Sequence, residues 1–309
     1  MALLLIRPQR DADEWRREME TLMPGIDFRV WPDVGRVEDV AMVMTWKASA
    51  GELQRYPNLG CICVLGQGVD RLLHGSELPA GVPIVRLVDD GMARQMSAYV
   101  LAAVLRHHCG MADYERLQRA RRWRDLDVPD PAERRVGILG LGALGGDLAD
   151  KLKALGFRVA GWSRTPKDID GVETCAGRDA FEPFLGGCDI VICLLPLTAE
   201  TRDILDARAF RAMKRGAYLV NSARGHLVVE DDLRAALEAG RLSGACLDVF
   251  RAEPLPREHP LWRHPKVTVP PHVAALTRAP SAAPQVAENY RRVRDGRPLI
   301  NLVDRARGY

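Results

Sequence analysis

The order of apolar runs in this chain predicts two parallel-sheet α/β domains, the second inserted into the first. Three observations carry that expectation. Short apolar runs alternate with amphipathic stretches along the chain, the pattern of parallel strands joined by crossover helices. In the middle, the strand-like Val136–Leu139 feeds directly into Gly140-Leu-Gly142-Ala-Leu-Gly145 and then into a helical pattern. A final amphipathic helix, roughly 281–295, follows Pro270-Pro271 and is expected to return to the first domain. At 309 residues the chain is longer than one average domain. The expected boundaries are 1–95 completed by 276–309, and 96–275.

In the first 90 residues the strands are expected at Leu3–Ile6, Ala41–Thr45, Cys61–Leu65 and Ile84–Leu87. Amphipathic or polar stretches such as Asp13–Met23 and Gly51–Tyr56 separate them. Gly66-Gln67-Gly68-Val69-Asp70 follows the third strand, and loops at the carboxyl ends of such strands bind ligands. A plain glycine turn would have the same sequence. Trp46 follows Ala41–Thr45 at the same sheet edge, where it either walls a pocket or packs in the core. From Gly91, Met96, Val100, Val104, Met111 and Tyr114 keep helical spacing to about Arg122. The basic end of that helix, Arg116, Arg119, Arg121, Arg122 and Arg124 around Trp123, reads as a solvated or subunit-contacting face. Val128-Pro-Asp-Pro131 then breaks the chain.

The glycines of the central motif have separate physical tasks. Gly140 allows the tight turn, Gly142 lacks the Cβ that would block a pyrophosphate, and Gly145 lets helix and strand approach. The helix N-terminus, beginning at Ala143 and Leu144, offers N–H groups and the positive end of its dipole to phosphates. Leu144, Leu148, Leu152 and Leu155 mark one face of that helix. Further strands are expected at Phe157–Trp162, Asp189–Leu195, Tyr218–Asn221, Gly244–Phe250 and Val267–Val269, with helices including Ala207–Lys214 and Glu230–Ala239. Counting Val136–Leu139, that makes six strands, the number in a complete dinucleotide-binding sheet.

Composition narrows the function classes. A net charge of +3 gives no electrostatic case for nucleic acid or a membrane surface. Only six of the 44 cations are lysine, which reads as the codon bias of a GC-rich genome. The seven cysteines are odd in number and contain no C-x-x-C pair, so buried thiols are expected, with no metal site and no disulfide framework. Leu3–Ile6 is too short for a signal peptide or a membrane span. The expectation is a soluble, cytoplasmic protein.

Three polar residues fall just after successive strands of the central domain: Arg224 in Asn221-Ser-Ala-Arg224-Gly225, Glu253 in Asp248-Val-Phe-Arg-Ala-Glu253-Pro254, and His272 in Pro270-Pro-His272-Val-Ala-Ala. An open parallel sheet places all three on its ligand-binding edge. At the end of the second central strand, where an acid would select the ribose 2′-OH of NAD, the chain instead has Ser163-Arg164-Thr165. A cation and two hydroxyls suit a 2′-phosphate, so NADP(H) is expected, with NAD(H) possible.

The order of these motifs resembles the D-isomer-specific 2-hydroxyacid dehydrogenases along the whole chain. Asp90-Gly-Met-x-x-Gln-Met96, Gly161-Trp-Ser-Arg164, Val229-Glu-Asp-Asp232, Glu253-Pro-Leu-Pro256 and Asp304-Arg-Ala-Arg-Gly-Tyr309 extend the similarity to one branch of that family. The resemblance implies a Rossmann-type cofactor domain inserted into a smaller flavodoxin-like substrate domain, both doubly wound. It implies NADPH-dependent reduction of small 2-keto acids, glyoxylate to glycolate and hydroxypyruvate to D-glycerate. The alternatives are another D-2-hydroxy acid as substrate, or a cofactor-sensing corepressor. Arg224 would hold the substrate carboxylate and keto oxygen, aided by backbone N–H groups of Gln67, Gly68 and Val69. His272 would give the proton, and Glu253 would fix its tautomer and stabilise the imidazolium. Asp248 would orient the nicotinamide carboxamide. Leu195, Pro196, Thr198 and Ala223 would line the cofactor cleft. Homodimerisation through the helix around 96–122 follows from the same resemblance.

Overall fold

A computed structural model describes residues 1–6, 12–75 and 77–309. They fall into two compact units, Met1–Met92 with Leu276–Tyr309, and Ala93–Ala275. Each unit is built around one parallel sheet.

The first unit has five strands: β1 (Ala2–Ile6), β2 (Asp27–Val30), β3 (Val40–Thr45), β4 (Cys61–Val64) and β5 (Ile84–Arg86). They lie in the order β2-β1-β3-β4-β5. Every residue of β3 and β4 is buried, as expected of strands covered on both faces. Helix α1 (Ala12–Leu22) buries Trp15 and Met19, and the short α2 (Asp70–Gly75) follows β4. The second unit takes in α3 (Asp90–His108) from Ala93 onward, then α4 (Met111–Arg119). Its strands are β6 (Arg135–Leu139), β7 (Arg158–Ser163), β8 (Glu173–Ala176), β9 (Ile190–Cys193), β10 (Ala217–Asn221), β11 (Leu242–Leu247) and β12 (Val267–Thr268). They lie in the order β12-β11-β10-β9-β6-β7-β8. Helices α5 (Ala143–Ala154), α6 (Phe181–Gly187), α7 (Ala207–Ala212) and α8 (Glu230–Glu238) connect them.

The chain returns to the first unit through α9 (Ala279–Arg294). Ala279, Ala282, Ala283, Val286, Ala287 and Tyr290 keep helical spacing and bury their face in the cluster that holds Trp15 and Met19. The Thr277 hydroxyl donates to Leu65 O, and the Tyr290 hydroxyl to Met1 O at 2.7 Å.

Several expectations need correction. β2 and β8 were not anticipated; they are edge strands with only one buried residue between them, so neither reads as an apolar run. The single helix expected from Gly91 to Arg122 is two, because Gly110 takes φ +66 and ends the first. Gly51–Tyr56 contributes only the short 3-10 turn Leu53–Arg55. Leu155 lies past the end of α5 and is exposed, whereas Leu148 and Leu152 are buried.

Candidate active site

The β6–α5 turn shows what each glycine does. Gly140 adopts φ +102, and a Cβ there would sit 2.9 Å from Leu194 O. A Cβ on Gly145 would overlap the carbonyl oxygen of Gly140, so the helix can lie this close to the turn only with glycine. Gly142 differs: a Cβ there would meet nothing within 4 Å. No neighbour among the described residues demands glycine at 142, and the open space lies at the N-terminus of α5, beside Ala143 and Leu144. That is room for an anionic group at a helix end.

At the end of β7, Ser163 is buried and its hydroxyl donates to Thr165 O at 2.7 Å, so its hydrogen is used within the turn. Arg164 projects into solvent, with Glu200 Oε2 3.8 Å from its guanidinium. Thr165 is exposed. After β9, the Leu195–Thr198 loop is held by a residue the sequence did not single out. Thr201 accepts from Thr198 N at 2.8 Å and donates to Pro196 O at 2.7 Å. A Thr three residues beyond Thr198 is an ordinary local turn former, which left no distinctive signal.

The adjacent parallel strands β10, β11 and β12 bring Arg224, Glu253 and His272 to one edge of the second unit's sheet. β11 ends at Leu247, three residues earlier than expected, which leaves Asp248-Val-Phe in the loop that leads to Glu253. The turn after β10 is shaped by the fully buried Asn221. Its amide donates to Arg224 O at 3.0 Å and accepts from Ala223 N at 3.2 Å. Ala223 is buried, and its carbonyl accepts from the Arg224 guanidinium at 2.7 Å.

Glu253 and His272 form a pair. His272 Nδ1 lies 2.8 Å from Glu253 Oε2, and Glu253 Oε1 accepts from Phe250 N at 3.1 Å. A carboxylate accepts only, so Nδ1 carries the hydrogen and Nε2 is the ring atom left for chemistry. His272 is half-buried and has φ +57, a left-handed backbone that is costly for a side-chain-bearing residue. Asp248 stabilises that turn. Its two oxygens accept from Val273 N and Ala274 N, both at 2.9 Å, and its carboxylate is buried. The nearby thiols are not candidate nucleophiles. Burial pushes Cys246 up to about 11 and Cys193 up to about 12, so both stay protonated at neutral pH.

In the first unit, the loop after β4 holds Gln67, Gly68 and Val69, with Val69 buried and accepting from Leu72 N. Gln67 Nε2 is buried and has no hydrogen-bond partner among the described residues. Trp46 is half-buried, and its indole covers Gly66, where a Cβ would collide with the ring.

Known proteins resemble this chain in sequence and fold. A family model described as "D-isomer specific 2-hydroxyacid dehydrogenase, NAD binding domain" matches residues 101–274. Glyoxylate/hydroxypyruvate reductase A of Serratia proteamaculans is 43% identical over the full length of both chains, and that of Yersinia enterocolitica 40%. Among solved structures, a D-isomer-specific 2-hydroxyacid dehydrogenase from Xanthobacter autotrophicus Py2, in complex with NADPH and MES, superposes with a TM-score of 0.96. It is 41% identical and covers 100% of this chain and 99% of its own. The NADPH-dependent glyoxylate/hydroxypyruvate reductase of Sinorhizobium meliloti, with NADP and sulfate, gives a TM-score of 0.93 at 36% identity, with both chains covered in full. This chain belongs to the D-isomer-specific 2-hydroxyacid dehydrogenase family.

Proposed function

We propose that this protein is an NADPH-dependent reductase of small 2-keto acids, with glyoxylate and hydroxypyruvate as its expected substrates. The observation that carries the reading is the 2.8 Å Glu253–His272 pair on the sheet edge that also carries Arg224. A proton donor for a keto oxygen must present one ring nitrogen in a fixed tautomer, and Glu253 does this by accepting from Nδ1. The doubly protonated His272 ring gives its Nε2 proton to the carbonyl oxygen, which becomes a hydroxyl, and keeps the Nδ1 hydrogen that Glu253 accepts. Arg224 has the planar fork that suits the adjacent carboxylate and keto oxygens. Gln67, Gly68 and Val69 are assigned to the carboxylate, as in the resemblance.

Bound NADPH supplies the hydride to the carbonyl carbon. Gly140, Gly142, Ala143 and Leu144 would hold its phosphates, and Arg164 with Thr165 its 2′-phosphate, while the Ser163 hydroxyl holds the turn that carries them. Leu195, Pro196, Thr198, Ala223 and Asp248 would line the remainder. The open space at Gly142 and the lack of an acid at the end of β7 support that fit. Names of relatives at 36–43% identity that include NADPH-dependent enzymes support it further. No helix among the described residues is long and apolar enough to cross a membrane. The reading extends to a cytoplasmic homodimer joined through α3 and α4, where Met111 and Tyr114 are exposed.

Steady-state assays of a panel of 2-keto acids with both cofactors test the proposal. NADPH should exceed NADH by at least about tenfold in kcat/KM, the value of one charge-assisted contact. His272→Ala should keep NADPH binding and lose about 10²–10⁴-fold in turnover. Near wild-type turnover in that variant would show that the proton comes from elsewhere.

A further inference from the structure

Glu230, the first residue of α8, takes no part in the chemistry above, yet its side chain is only 16% exposed. It belongs to the Val229-Glu-Asp-Asp232 segment noted in the sequence. Its two neighbours in the first turn have other fates: Asp231 points into solvent, and Asp232 accepts from Ala207 N at 2.8 Å. Glu230 Oε1 accepts from Arg251 N at 2.9 Å, and Oε2 lies 3.3 Å from His259 Nε2.

The Arg251 side chain folds back across the same region. Its Nε donates to Val228 O at 2.8 Å, and its guanidinium pairs with Asp203. Asp203 holds a left-handed backbone, φ +59, and donates its N–H to His226 O at 2.9 Å. Segments around 203, 228–230 and 251 are therefore tied to one another through one arginine.

The backbone of Phe250 and Arg251 is the focus of these contacts. Phe250 N donates to Glu253 Oε1, and the next N–H along donates to Glu230. A Cβ on Gly225 would collide with the Phe250 carbonyl, so the Arg224–Gly225 turn lies directly against the same backbone. Glu253 has three side-chain torsions to restrain, and the Phe250 N–H on its inner oxygen limits them while its outer oxygen faces His272.

We propose that Glu230, closed by the Arg251–Asp203 pair, is a positioning residue for proton transfer. It fixes the Phe250–Arg251 backbone, through it the carboxylate of Glu253, and through that the Nδ1-protonated tautomer of His272. The proposal rests on the reading of His272 as proton donor. A merely structural Glu230 would serve only the dipole of α8 and affect stability alone.

The test uses the full-length enzyme and three variants, Glu230→Ala, Glu230→Gln and Arg251→Gln. Each is measured for kcat, for KM of NADPH, and for the imidazole ¹⁵N spectrum of His272, assigned by its loss in His272→Gln. Glu230→Ala should lower kcat about ten- to a hundredfold, the scale of an ångström of misplacement. KM for NADPH should stay within about twofold. The His272 ring should change from the Nδ1–H form to a mixture of tautomers. Glu230→Gln keeps an acceptor for Arg251 N and should restore most of kcat and the tautomer. Unchanged His272 signals in Glu230→Ala would overturn the proposal, whatever happens to kcat. If Glu230→Ala does not fold, Arg251→Gln decides by the same two measurements. The spectrum needs no turnover, so a failed brace is distinguishable from a wrong proton donor, which His272→Ala reports.

Discussion

Two turns of similar sequence, Gly66-Gln67-Gly68 after β4 and Gly140-Leu141-Gly142 after β6, have glycine for opposite reasons. At Gly66 the missing Cβ is replaced by protein, because the Trp46 indole lies where it would be. At Gly142 it is replaced by nothing within 4 Å among the described residues. The first glycine serves packing inside its own unit. The second leaves space at a helix N-terminus, which gains nothing for the fold and suits a phosphate. A glycine in sequence reports only that a side chain is not wanted; the neighbours say whether packing or a ligand is the cause.

The largest effect that could break this contrast is at Gly142. Gly142→Val should leave the melting temperature within a degree or two and raise KM for NADPH about a hundredfold. That corresponds to losing about two charge-assisted contacts to the phosphates. A normal KM would mean that the cofactor does not use the open space.

Gly66→Ala should behave in the reverse way. The added methyl meets a ring that is already packed, and overfilling such a site costs about 1–3 kcal/mol, measurable in a urea melt. Adding Trp46→Ala to Gly66→Ala should cost less than the two single changes summed, since one removes the other's clash. Strict additivity would show that the indole is not what excludes a side chain at 66.

A smaller effect sharpens the cofactor side. Glu200 lies 3.8 Å from Arg164, and both are exposed, so the pair is worth at most about 1 kcal/mol. Glu200→Gln should remove one competitor for Arg164 and lower KM for NADPH by up to about fivefold, with KM for NADH unmoved. An equal change for both cofactors would remove Arg164 from the 2′-phosphate.

How much of this was legible beforehand depended on where a residue's partners lie along the chain. Interior strands were readable because both of their faces are buried: β3, β4, β9 and β10 are apolar or small almost throughout. Arg224, Glu253 and His272 were readable as a set because each follows a strand and an open parallel sheet has only one carboxyl edge. The edge strands β2 and β8 were not, since half-exposed strands lack an apolar signature.

By itself, then, the sequence determined the alternation of strand and helix, the glycine turn and the three strand-end residues, all of which are local patterns. Only the tertiary structure decided that Asp248 holds the His272 turn through Val273 N, 25 residues away, and that Glu230 grips Arg251 N, 21 residues away. It also decided that His272 occupies a left-handed backbone. Such contacts depend on which segments the fold brings side by side, and a carboxylate in a helix's first turn looks the same whether it caps that helix or braces a distant loop.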